Sequence, residues 1–578
     1  MSVVRKLLIA VALAAALVSA AASAATGRSR QESVSTSTLM PGVTYSREVD
    51  FTSRGPIVLD VVTAPKPTGA LYSLAPALST DQLQGKETLT HLASRVAAGA
   101  AAVAIDGDYF DRKTGAPSGI LMQNGVLESA PATGRSSLGI AADGTLTAAR
   151  VSLAGTWQGN GQRRPLLLNG PVGKGKFTLY TPAYGTATPN ESGAVEAVIG
   201  QLPPAQPGVA LDGTVTQVTT AGPTPIPPGG AVLVARGSQS TAQLRTEAPV
   251  GQHIGALLSL SPNWSGLASA IGGGPALVRN GKPVFHASES FDPRRLNSRQ
   301  PRGAIGQLPD GRILLVAVEG TNPAYSIGMS SYELAVALSR LGATTAFGLD
   351  AGPAAGVAFN GTLLTRPSGE TEAKLSDALV LSYAGVYAAP PSAPVLSPND
   401  DGAGDDETLV FQLARPSDVS ATLAGPDNTK ITLANGAESP GVHTLTWDGA
   451  NGAEGQWTFT VTATDDRKVT TTAQKTFSLD DTLSALAVTT GSRGLPTATF
   501  QLTRSANVVV RIERPNGVLV ASLGSGPRPA GPQHVTWRGR IGKRRAPGGR
   551  YRVEVVATSS VGVSSLAALF LFRPHTRQ

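Results

Sequence analysis

The chain of 578 residues contains no cysteine, so it can form no disulfide, no thiolate metal site and no cysteine nucleophile. After its first 24 residues it also lacks an uninterrupted apolar run of roughly 18 residues, the length that a membrane-spanning helix needs. The segment IGGGP at 271–275 is not followed by Gly-Lys-Ser/Thr, so it is not a phosphate-binding loop of the P-loop type. Without disulfides or thiolate-bound metals, each domain must be stabilised by packing.

The first 24 residues have the pattern of a secretory signal peptide. Arg5 and Lys6 precede the apolar run LLIAVALAAALVSA, and small residues ending at Ala24 form a cleavage site. An uncleaved signal anchor is the alternative, but the run is short and rich in alanine for that role. We expect a secreted or cell-envelope-associated protein on the extracellular side, with no membrane span after signal removal.

Positive charge is concentrated at the C-terminal end of the chain. Residues 484–578 contain 14 Lys and Arg but only two acidic residues, a net of +12, whereas the whole chain has a net charge of +8. Exported proteins meet few nucleic acids, so we expect this region to attract anionic cell-envelope polymers, with a solvated basic face as the alternative. Seven of the cations lie within fifteen residues: Arg538, Arg540, Lys543, Arg544, Arg545, Arg550 and Arg552.

Two similar units follow the proline-rich passage YAAPPSAPVLSPNDDGAGDDE at 387–407. Each contains Phe-Gln-Leu, a turn with proline and asparagine, a Thr-Trp pair, and an alternating segment that ends in Ala-Thr. Period-two alternation between turn signals is typical of a small β-sandwich. We therefore predict two all-β immunoglobulin-like sandwiches, at 395–482 and 484–573.

Possible metal ligands are few. Asn399, Asp401 and Asp405 have a spacing that an oxygen-ligated divalent cation such as Ca²⁺ could use, with a solvated acidic turn as the alternative. His91 and His286 have no second His at metal-ligand spacing, and we expect both to be structural. The sequence leaves a metal requirement open.

Upstream of residue 387, helical and strand patterns alternate. Leu89, Leu92 and Val96 share one helical face before a buried strand at 100–105, and 313–349 repeats the order as strand, helix and strand. Asn-Gly pairs at 124, 280 and 360 lie between alternating apolar residues and predict hairpins. We predict an α+β domain with a mixed sheet from about 40 to 387.

Acidic residues follow the predicted buried strands. Asp350 could simply form a turn, because a lone Asp readily bonds its own backbone. However, if the strands at 313–318 and 344–349 are parallel neighbours, their carboxyl ends lie at one edge of the sheet, where ligands bind in open α/β sheets. Glu319 and Asp350 would then face one crevice, which Asp106 could join.

Six blocks between about 90 and 385 resemble, in order, the phosphodiester glycosidase family, relatives of the lysosomal enzyme that removes N-acetylglucosamine from a phosphodiester. The two C-terminal units resemble the FlgD-like immunoglobulin-like domain of secreted bacterial proteins, through Trp447-Asp448 and Trp457 in the first and Trp537 and Tyr551 in the second. The six blocks are AIDGDYFD…GAPSGILMQNGVL, LYTPAYGTATP, AIGGGPALVRNGKPV, QPRGAIGQLPDGRILLVAVEG, GMSSYELAVALSRLGATTAFGLDAGPAAGVAFNG and RPSGETEAKLSDALVLSY.

The resemblance implies a hydrolase that cleaves the glycosidic bond of a sugar-1-phosphodiester, the glycosyl-phosphate substrate. Because the leaving group is acidic, stabilising an oxocarbenium-like transition state and the departing phosphate matters more than a general acid. Carboxylates would act as base or nucleophile, and Arg would bind the phosphate. The resemblance implies catalytic roles for Asp106, Asp108, Glu319 and Asp350, and substrate binding by Arg302, Gly107 and Gly352.

Three departures from the family pattern bear on this prediction. Asp106 replaces Asn, Glu319 replaces Asp, and DAGPAAG at 350–356 replaces Asp-Gly-Gly-Gly-Ser-Ser/Thr, which removes hydroxyls and stiffens the loop. A second hypothesis is therefore a non-catalytic carbohydrate- or phospho-polymer-binding envelope protein with a degenerate site, and a third is a purely structural envelope protein.

Several of these residues also have structural interpretations. Asp108 could cap the turn that follows it, and Arg302 could pair with Asp310. Arg294, Arg295 and Arg299 are expected to belong to a solvated loop, with assistance at the phosphate as the alternative.

Overall fold

The computed structural model describes residues 30–573 except 98, 221, 285–287, 399–403, 451 and 491–494. The proposed signal peptide, His286 and the calcium candidates Asn399 and Asp401 lie outside the described residues. The chain forms two compact units, the first reaching Tyr383 without 98–100 and the second continuing from Ala384. Within the described ranges, no helix is long and apolar enough to cross a membrane.

In its described residues the first unit is mostly β-structure, with a 3-10 turn at Ser79–Asp81 and four short α-helices, α1 Leu89–Ala97, α2 Ser238–Glu247, α3 Pro293–Asn297 and α4 Ser331–Arg340. Its strands are β1 Arg30–Met40, β2 Val43–Thr52, β3 Gly55–Ala64, β4 Tyr72–Leu78, β5 Glu87–Thr88, β6 Ala101–Asp106, β7 Leu121–Gln123, β8 Val126–Ser129, β9 Ser136–Ala141, β10 Leu146–Arg150, β11 Ser152–Gln158, β12 Arg164–Leu168, β13 Lys176–Tyr180, β14 Ala194–Ile199, β15 Ala210–Thr219, β16 Ala231–Arg236, β17 His253–Ser261, β18 Leu267–Ile271, β19 Ala276–Arg279, β20 Lys282–Pro283, β21 Arg302–Gln307, β22 Ile313–Val318, β23 Thr345–Ala351, β24 Val357–Phe359, β25 Thr362–Leu363, β26 Lys374–Leu375 and β27 Asp377–Tyr383.

The largest sheet has eight strands in the order β1-β2-β3-β22-β21-β23-β19-β20. Helix α4 packs Leu334, Ala335 and Leu338 into one core with Val316 and Ala346 of the sheet. Ten residues are too few for a stable isolated helix, so burial of this apolar face is what holds α4 in place.

A second sheet, β25-β24-β6-β27-β4, is covered by α1. Leu89 and Leu92 of α1 pack against the small side chains of Ala102 and Ala104 in β6. Every residue of β6 is buried, and its last residue, Asp106, lies opposite Ala378 of β27. This pairing brings the end of β6 to the beginning of β27.

Seven strands close into a barrel in the order β11-β12-β13-β16-β14-β15-β17. Its core includes Trp157 and Phe177, whose rings meet edge to face with centroids 5.1 Å apart. A separate five-stranded sheet, β10-β9-β18-β7-β8, contributes to the same core. The sequence patterns considered above did not predict the barrel.

Local turn and cap predictions for this unit are confirmed. Asn124, Asn280 and Asn360 have φ of 51°, 49° and 46°, each is followed by a glycine with positive φ, and each turn joins a pair of antiparallel strands. The side chain of Ser330 accepts a hydrogen bond from the Glu333 amide at 3.3 Å, and the Glu333 carboxylate accepts one from the Ser330 amide at 2.9 Å.

A mixed sheet is present in the barrel, where β12 and β13 pair parallel and β13 and β16 pair antiparallel. The prediction that β22 and β23 are parallel neighbours is wrong. The two strands run in the same direction, but β21 lies between them and is antiparallel to both. The cause is the turn at 308–311, where Pro-Asp-Gly joins β21 to β22 as a hairpin before the chain enters α4. All strand pairings of the eight-stranded sheet are antiparallel.

The second unit is built from strands around two hydrophobic cores. The first core contains Trp447 and Trp457, and the second contains Trp537 and Tyr551. Each core receives residues from two sheets, as in a β-sandwich. The strands are β28 Tyr387–Ala388, β29 Val395–Leu396, β30 Glu407–Leu413, β31 Ser417–Ala424, β32 Lys430–Glu438, β33 Gly441–Trp447, β34 Gly455–Asp465, β35 Thr470–Leu479, β36 Leu483–Thr490, β37 Pro496–Leu502, β38 Ala506–Glu513, β39 Leu519–Arg528, β40 Gly531–Thr536, β41 Arg540–Ile541, β42 Arg544–Arg545, β43 Gly549–Thr558 and β44 Val563–Phe572.

Candidate active site

Four buried aspartates meet where β6, β23 and β27 come together, and we call them the aspartate cluster. Asp106, Asp108 and Asp377 are at most 1% exposed, and Asp350 is 8% exposed. The Asp350 amide donates a hydrogen bond to the Gly107 carbonyl at 2.7 Å, and the Asp108 amide donates one to Oδ1 of Asp377 at 2.7 Å. The structure thus brings together three predicted residues and Asp377, which sequence reasoning missed.

Glycines make room for these carboxyl groups. A Cβ added at Gly303 would collide with the Asp106 carboxylate, one at Gly107 with Oδ1 of Asp377, and one at Gly272 with the carboxylate of Asp108. Gly107 was predicted to bind substrate. In the structure it instead allows the cluster to pack, because it has no side chain and its carbonyl accepts the hydrogen bond from the Asp350 amide.

The environment of the cluster favours protonated carboxyl groups. Burial, with the Asp350 carboxyl adding to it, holds the pKa of Asp106 well above its ordinary value. Burial and the Asp377 carboxyl raise the pKa of Asp108, and burial raises the pKa of Asp350 to about 7. Low dielectric and like charges act in the same direction here. At neutral pH the cluster therefore holds protons that it can exchange.

Hydrogen bonds indicate which members are ionised. Burial raises the pKa of Asp377 to about 6, and the bonds that it accepts from the Asp108 amide and the Ser376 hydroxyl, at 2.7 Å each, oppose this rise and favour its carboxylate form at neutral pH. By contrast, Oδ2 of Asp106 and Oδ1 of Asp108 are buried without a hydrogen-bond partner. A proton on Asp106 and one on Asp108 make these carboxyls neutral, which lowers the free-energy cost of burying their unpartnered oxygens.

A cavity of about 330 Å³ lies beside the cluster, and Asp350 is the member of the cluster that lines it. We call it the site cavity. Tyr109 and Phe110 provide aromatic surface, and Ala351, Pro353 and Ala354 contribute small apolar groups from the DAGPAAG loop. Four cationic residues also line the cavity: Lys86, Arg112, Arg295 and Lys374.

Arg302 does not lie among the residues that line the site cavity. Its guanidinium donates to the carbonyls of Met329 and Arg295 at 2.7 Å each and of Ser298 at 3.0 Å, and the residue is 3% exposed. These bonds hold the α3 segment, in which Arg295 places its guanidinium carbon 4.9 Å from the ring centre of Tyr109. Arg302 thus positions the segment that carries Arg295, rather than facing the cavity itself.

Glu319 belongs to a second polar group, which we call the Arg47 cluster. Arg47 donates to Oε1 of Glu319 at 3.0 Å and to Oδ1 of Asp60 at 3.4 Å, and Tyr45 donates to the same Asp60 oxygen at 2.6 Å. The Arg366 amide also donates to Glu319, at 2.9 Å. Because β21 separates β22 from β23, the predicted convergence of Glu319 with Asp350 is replaced by these contacts.

The DAGPAAG loop begins with a tight local arrangement. Oδ1 of Asp350 accepts a hydrogen bond from the Ala351 amide at 2.7 Å, so Asp350 does form a turn of the predicted kind in addition to joining the cluster. Gly352 has φ of 107°, which disfavours other residues, and its amide donates to the Pro301 carbonyl at 2.9 Å. Gly352 therefore shapes the loop between two residues that line the cavity.

Metal ligands do not cluster in the part of the chain that the structure describes. No group of three or more His, Cys, Asp or Glu there has a geometry that could hold a metal ion. Asp405 is the described member of the predicted calcium set.

Comparisons with known proteins confirm both predicted resemblances. The family model for phosphodiester glycosidase matches residues 206–382, and the model for the FlgD Ig-like domain matches residues 486–560. The first match includes Asp350 and Asp377, whereas Asp106 and Asp108 precede it. Strands β15, β16 and β17 of the barrel also fall within this match.

Individual relatives are distant or partial. An uncharacterized SPbeta prophage-derived protein of Bacillus subtilis (strain 168), YomE, is 31% identical over 107 residues, 18% of this chain and 16% of that protein. A hypothetical protein from Synechocystis aligns with a TM-score of 0.52 and 27% identity, covering 61% of this chain and 64% of that chain. This chain thus spans less than two thirds of either relative.

The catalytic domain of zebrafish N-acetylglucosamine-1-phosphodiester alpha-N-acetylglucosaminidase, auto-inhibited by its pro-peptide, is also similar. It aligns with a TM-score of 0.33 and 15% identity, over 62% of this chain and 86% of that chain.

Proposed function

We propose that the protein is a secreted hydrolase that cleaves the glycosidic bond of sugar-1-phosphodiesters. The observation that carries the proposal is the site cavity, where the carboxyl group of Asp350 lies among four cationic residues and beside two aromatic rings. The cations suit a phosphate group and the rings suit the face of a sugar. The family match to residues 206–382 supports the same chemistry.

The residues assign a role to each part of the cavity. Water attacks the anomeric carbon and gives a proton to the Asp350 carboxylate, while the bond between that carbon and the phosphate oxygen breaks and its electron pair leaves with the phosphate. Cations stabilise the departing phosphate, so a general acid contributes little. With a pKa raised to about 7 by burial, Asp350 can take this proton and release it again at neutral pH.

In this scheme Asp377 acts directly on the pKa of Asp350, and Asp106 and Asp108 belong to the packed cluster around it. The Asp350 and Asp377 carboxyls both raise the pKa of Asp106, and the Asp377 carboxyl adds to the raised pKa of Asp350. Burial therefore sets most of the basicity of Asp350, Asp377 adds to it, and the bond to the Gly107 carbonyl fixes the Asp350 backbone.

Hydrolysis of a glycosyl-1-phosphodiester in ¹⁸O-labelled water tests the proposal. Attack at the anomeric carbon places the label in the released sugar, whereas attack at phosphorus places it in the phosphate. Free labelled sugar together with an unlabelled phosphomonoester is the expected result. Label in the phosphate would make the protein a phosphodiesterase.

A non-catalytic binding protein is the second candidate, and the DAGPAAG loop favours it. Pro353 and Ala354 line the site cavity, where the family pattern has residues with more freedom or with hydroxyl groups. Saturable binding of the phosphodiester without release of sugar over long incubation would support this candidate against the hydrolase.

A further inference from the structure

The C-terminal end of the second unit carries a short cationic hairpin. Strands β41 and β42 pair antiparallel around a turn in which Gly542 has φ of 58°. Residues 538–545, which we call the basic hairpin, contain five cations, all of them exposed: Arg538, Arg540, Lys543, Arg544 and Arg545. This stretch contains five of the seven cations at 538–552 and has no part in the proposed hydrolysis.

The hairpin holds like charges close together. Arg540 and Arg545 are direct cross-strand partners, and like charges in that position destabilise a strand pair. Residues 484–578 contain only two acids, Glu513 and Glu554, and both form ion pairs with arginines of the neighbouring sheet. The basic hairpin therefore keeps an excess of positive charge.

Core residues fix the backbone of the hairpin. The buried ring of Trp537 donates from Nε1 to the Arg540 carbonyl at 3.1 Å, and the hydroxyl of buried Tyr551 donates to the Pro547 carbonyl at 2.9 Å. The cationic side chains thus extend from a frame that is already ordered. Little backbone entropy would be lost when an anion binds to them.

The first sandwich shows that this charge is not needed for folding. At the corresponding position it has Asp448, whose Oδ1 accepts a hydrogen bond from the Ala450 amide at 2.9 Å and forms a local turn. The second copy has Arg538 there, after a tryptophan that is buried in both copies. The same framework therefore accommodates an acid or a base, so the basic hairpin needs another explanation.

We propose that the basic hairpin is a binding site for a linear, phosphate-bearing polyanion. Its cations lie on both strands and on the turn, which suits a flexible chain with repeating charges. Ile541 is the only large apolar residue in 538–545 and is partly buried, so the hairpin offers no exposed aromatic or aliphatic group that would enter a lipid surface. Charge alone is therefore the basis of recognition.

Binding of long-chain inorganic polyphosphate to the full chain, between 50 and 200 mM NaCl, tests the proposal. With about five contacts, counterion release predicts an affinity loss of about 100-fold over this range. The hairpin variant Arg540→Gln/Lys543→Gln/Arg544→Gln should bind at least about tenfold more weakly at 50 mM salt and show a shallower salt dependence. The single change Lys543→Gln, at the exposed turn, should weaken binding by about two- to threefold.

The matched control is Lys430→Gln/Lys468→Gln/Lys475→Gln, which removes the same charge from the first sandwich and should bind like the parent. Melting curves check that every variant is folded. If both triple variants weaken binding equally, net charge alone explains the effect and the proposal is overturned. Unchanged binding by the hairpin variant would also overturn it. Binding to phosphatidylglycerol vesicles but not to polyphosphate would overturn it in favour of a lipid surface.

Discussion

The first unit contains two groups of buried carboxyls, and the negative charge of each group is reduced in a different way. In the Arg47 cluster, one guanidinium contacts both carboxyls, Asp60 and Glu319, and offsets one of their two charges, while burial and the Glu319 carboxyl raise the pKa of Asp60 to about 8. In the aspartate cluster, the carboxyls contact backbone amides, a serine hydroxyl and one another's backbone, and burial raises their pKa values instead. The aspartate cluster thus relies on protons, and not on a contacting arginine, to reduce its charge.

The difference indicates which group is suited to chemistry. A carboxylate in contact with an internal arginine has part of its charge offset within the protein, and removing that contact mainly affects stability. A carboxyl group neutralised by a proton can exchange that proton with a substrate or water. Of the two groups, the aspartate cluster is the one that contributes a residue, Asp350, to the site cavity, which four cationic residues also line.

The largest expected effect comes from Asp350→Asn, which keeps the shape of the side chain but cannot take a proton. We expect kcat/KM for a glycosyl-1-phosphodiester to fall by at least about 100-fold, the usual scale for loss of a positioned proton-transfer group. Steady-state kinetics measures it, and an unaltered melting curve shows that the variant is folded. Parent-like kinetics would remove Asp350 from the mechanism.

The pH dependence of the reaction tests whether Asp350 acts as the base. Asp350 must be ionised to act as a base, and burial raises its pKa to about 7. The rate should therefore rise by about tenfold per pH unit below pH 7 and level off above it. A pH–rate profile that is flat from pH 5 to 8 would contradict the role of a group with this pKa.

Arg295→Gln tests the cations that line the cavity. Loss of one charge-assisted hydrogen bond to phosphate at a partly solvated position should raise KM by about tenfold. Arg294→Gln is the matched control, because its side chain is 92% exposed and pairs with Asp292. Equal effects of the two changes would show that general positive charge, and not a contact in the cavity, is responsible.

Gly303→Ala tests the packing of the aspartate cluster, because the new methyl group would collide with the Asp106 carboxylate. We expect the first unit to lose about 1–3 kcal/mol of stability in urea denaturation, the usual cost of overpacking. Gly266→Ala is the control, since a Cβ there meets nothing within 4 Å. A Gly303 variant as stable as this control would mean that the cluster is loosely packed.

Local signals predicted several parts of this fold. The Asn-Gly turns and the capping box of Ser330 were visible because they depend on neighbouring residues. The barrel was not, because its closure depends on strand pairings between distant segments. The order of β22, β21 and β23 was missed because the crossover from β22 to β23 was assumed to join adjacent strands, although the Pro-Asp-Gly turn already pairs β22 with β21.

The candidate site was predictable to a similar extent. Asp106 and Asp350 were found because each ends a buried strand, but Asp377 begins one, so the same reasoning passed over it. The cavity's cations come from four separate segments, of which only the loop around Arg295 was considered. An acidic residue directly before the apolar run Ala-Leu-Val-Leu, as in KLSDALVL, was the signal that could have identified Asp377.

We assign the chemistry to the aspartate cluster and not to the Arg47 cluster. Parallel measurement of kcat/KM for Glu319→Gln and Asp350→Asn distinguishes the two. Glutamine keeps the Glu319 side-chain oxygen that accepts from the Arg366 amide, so we expect Glu319→Gln to stay within about threefold of the parent while Asp350→Asn falls by at least about 100-fold. A folded Glu319→Gln variant that loses as much activity as Asp350→Asn would contradict the account.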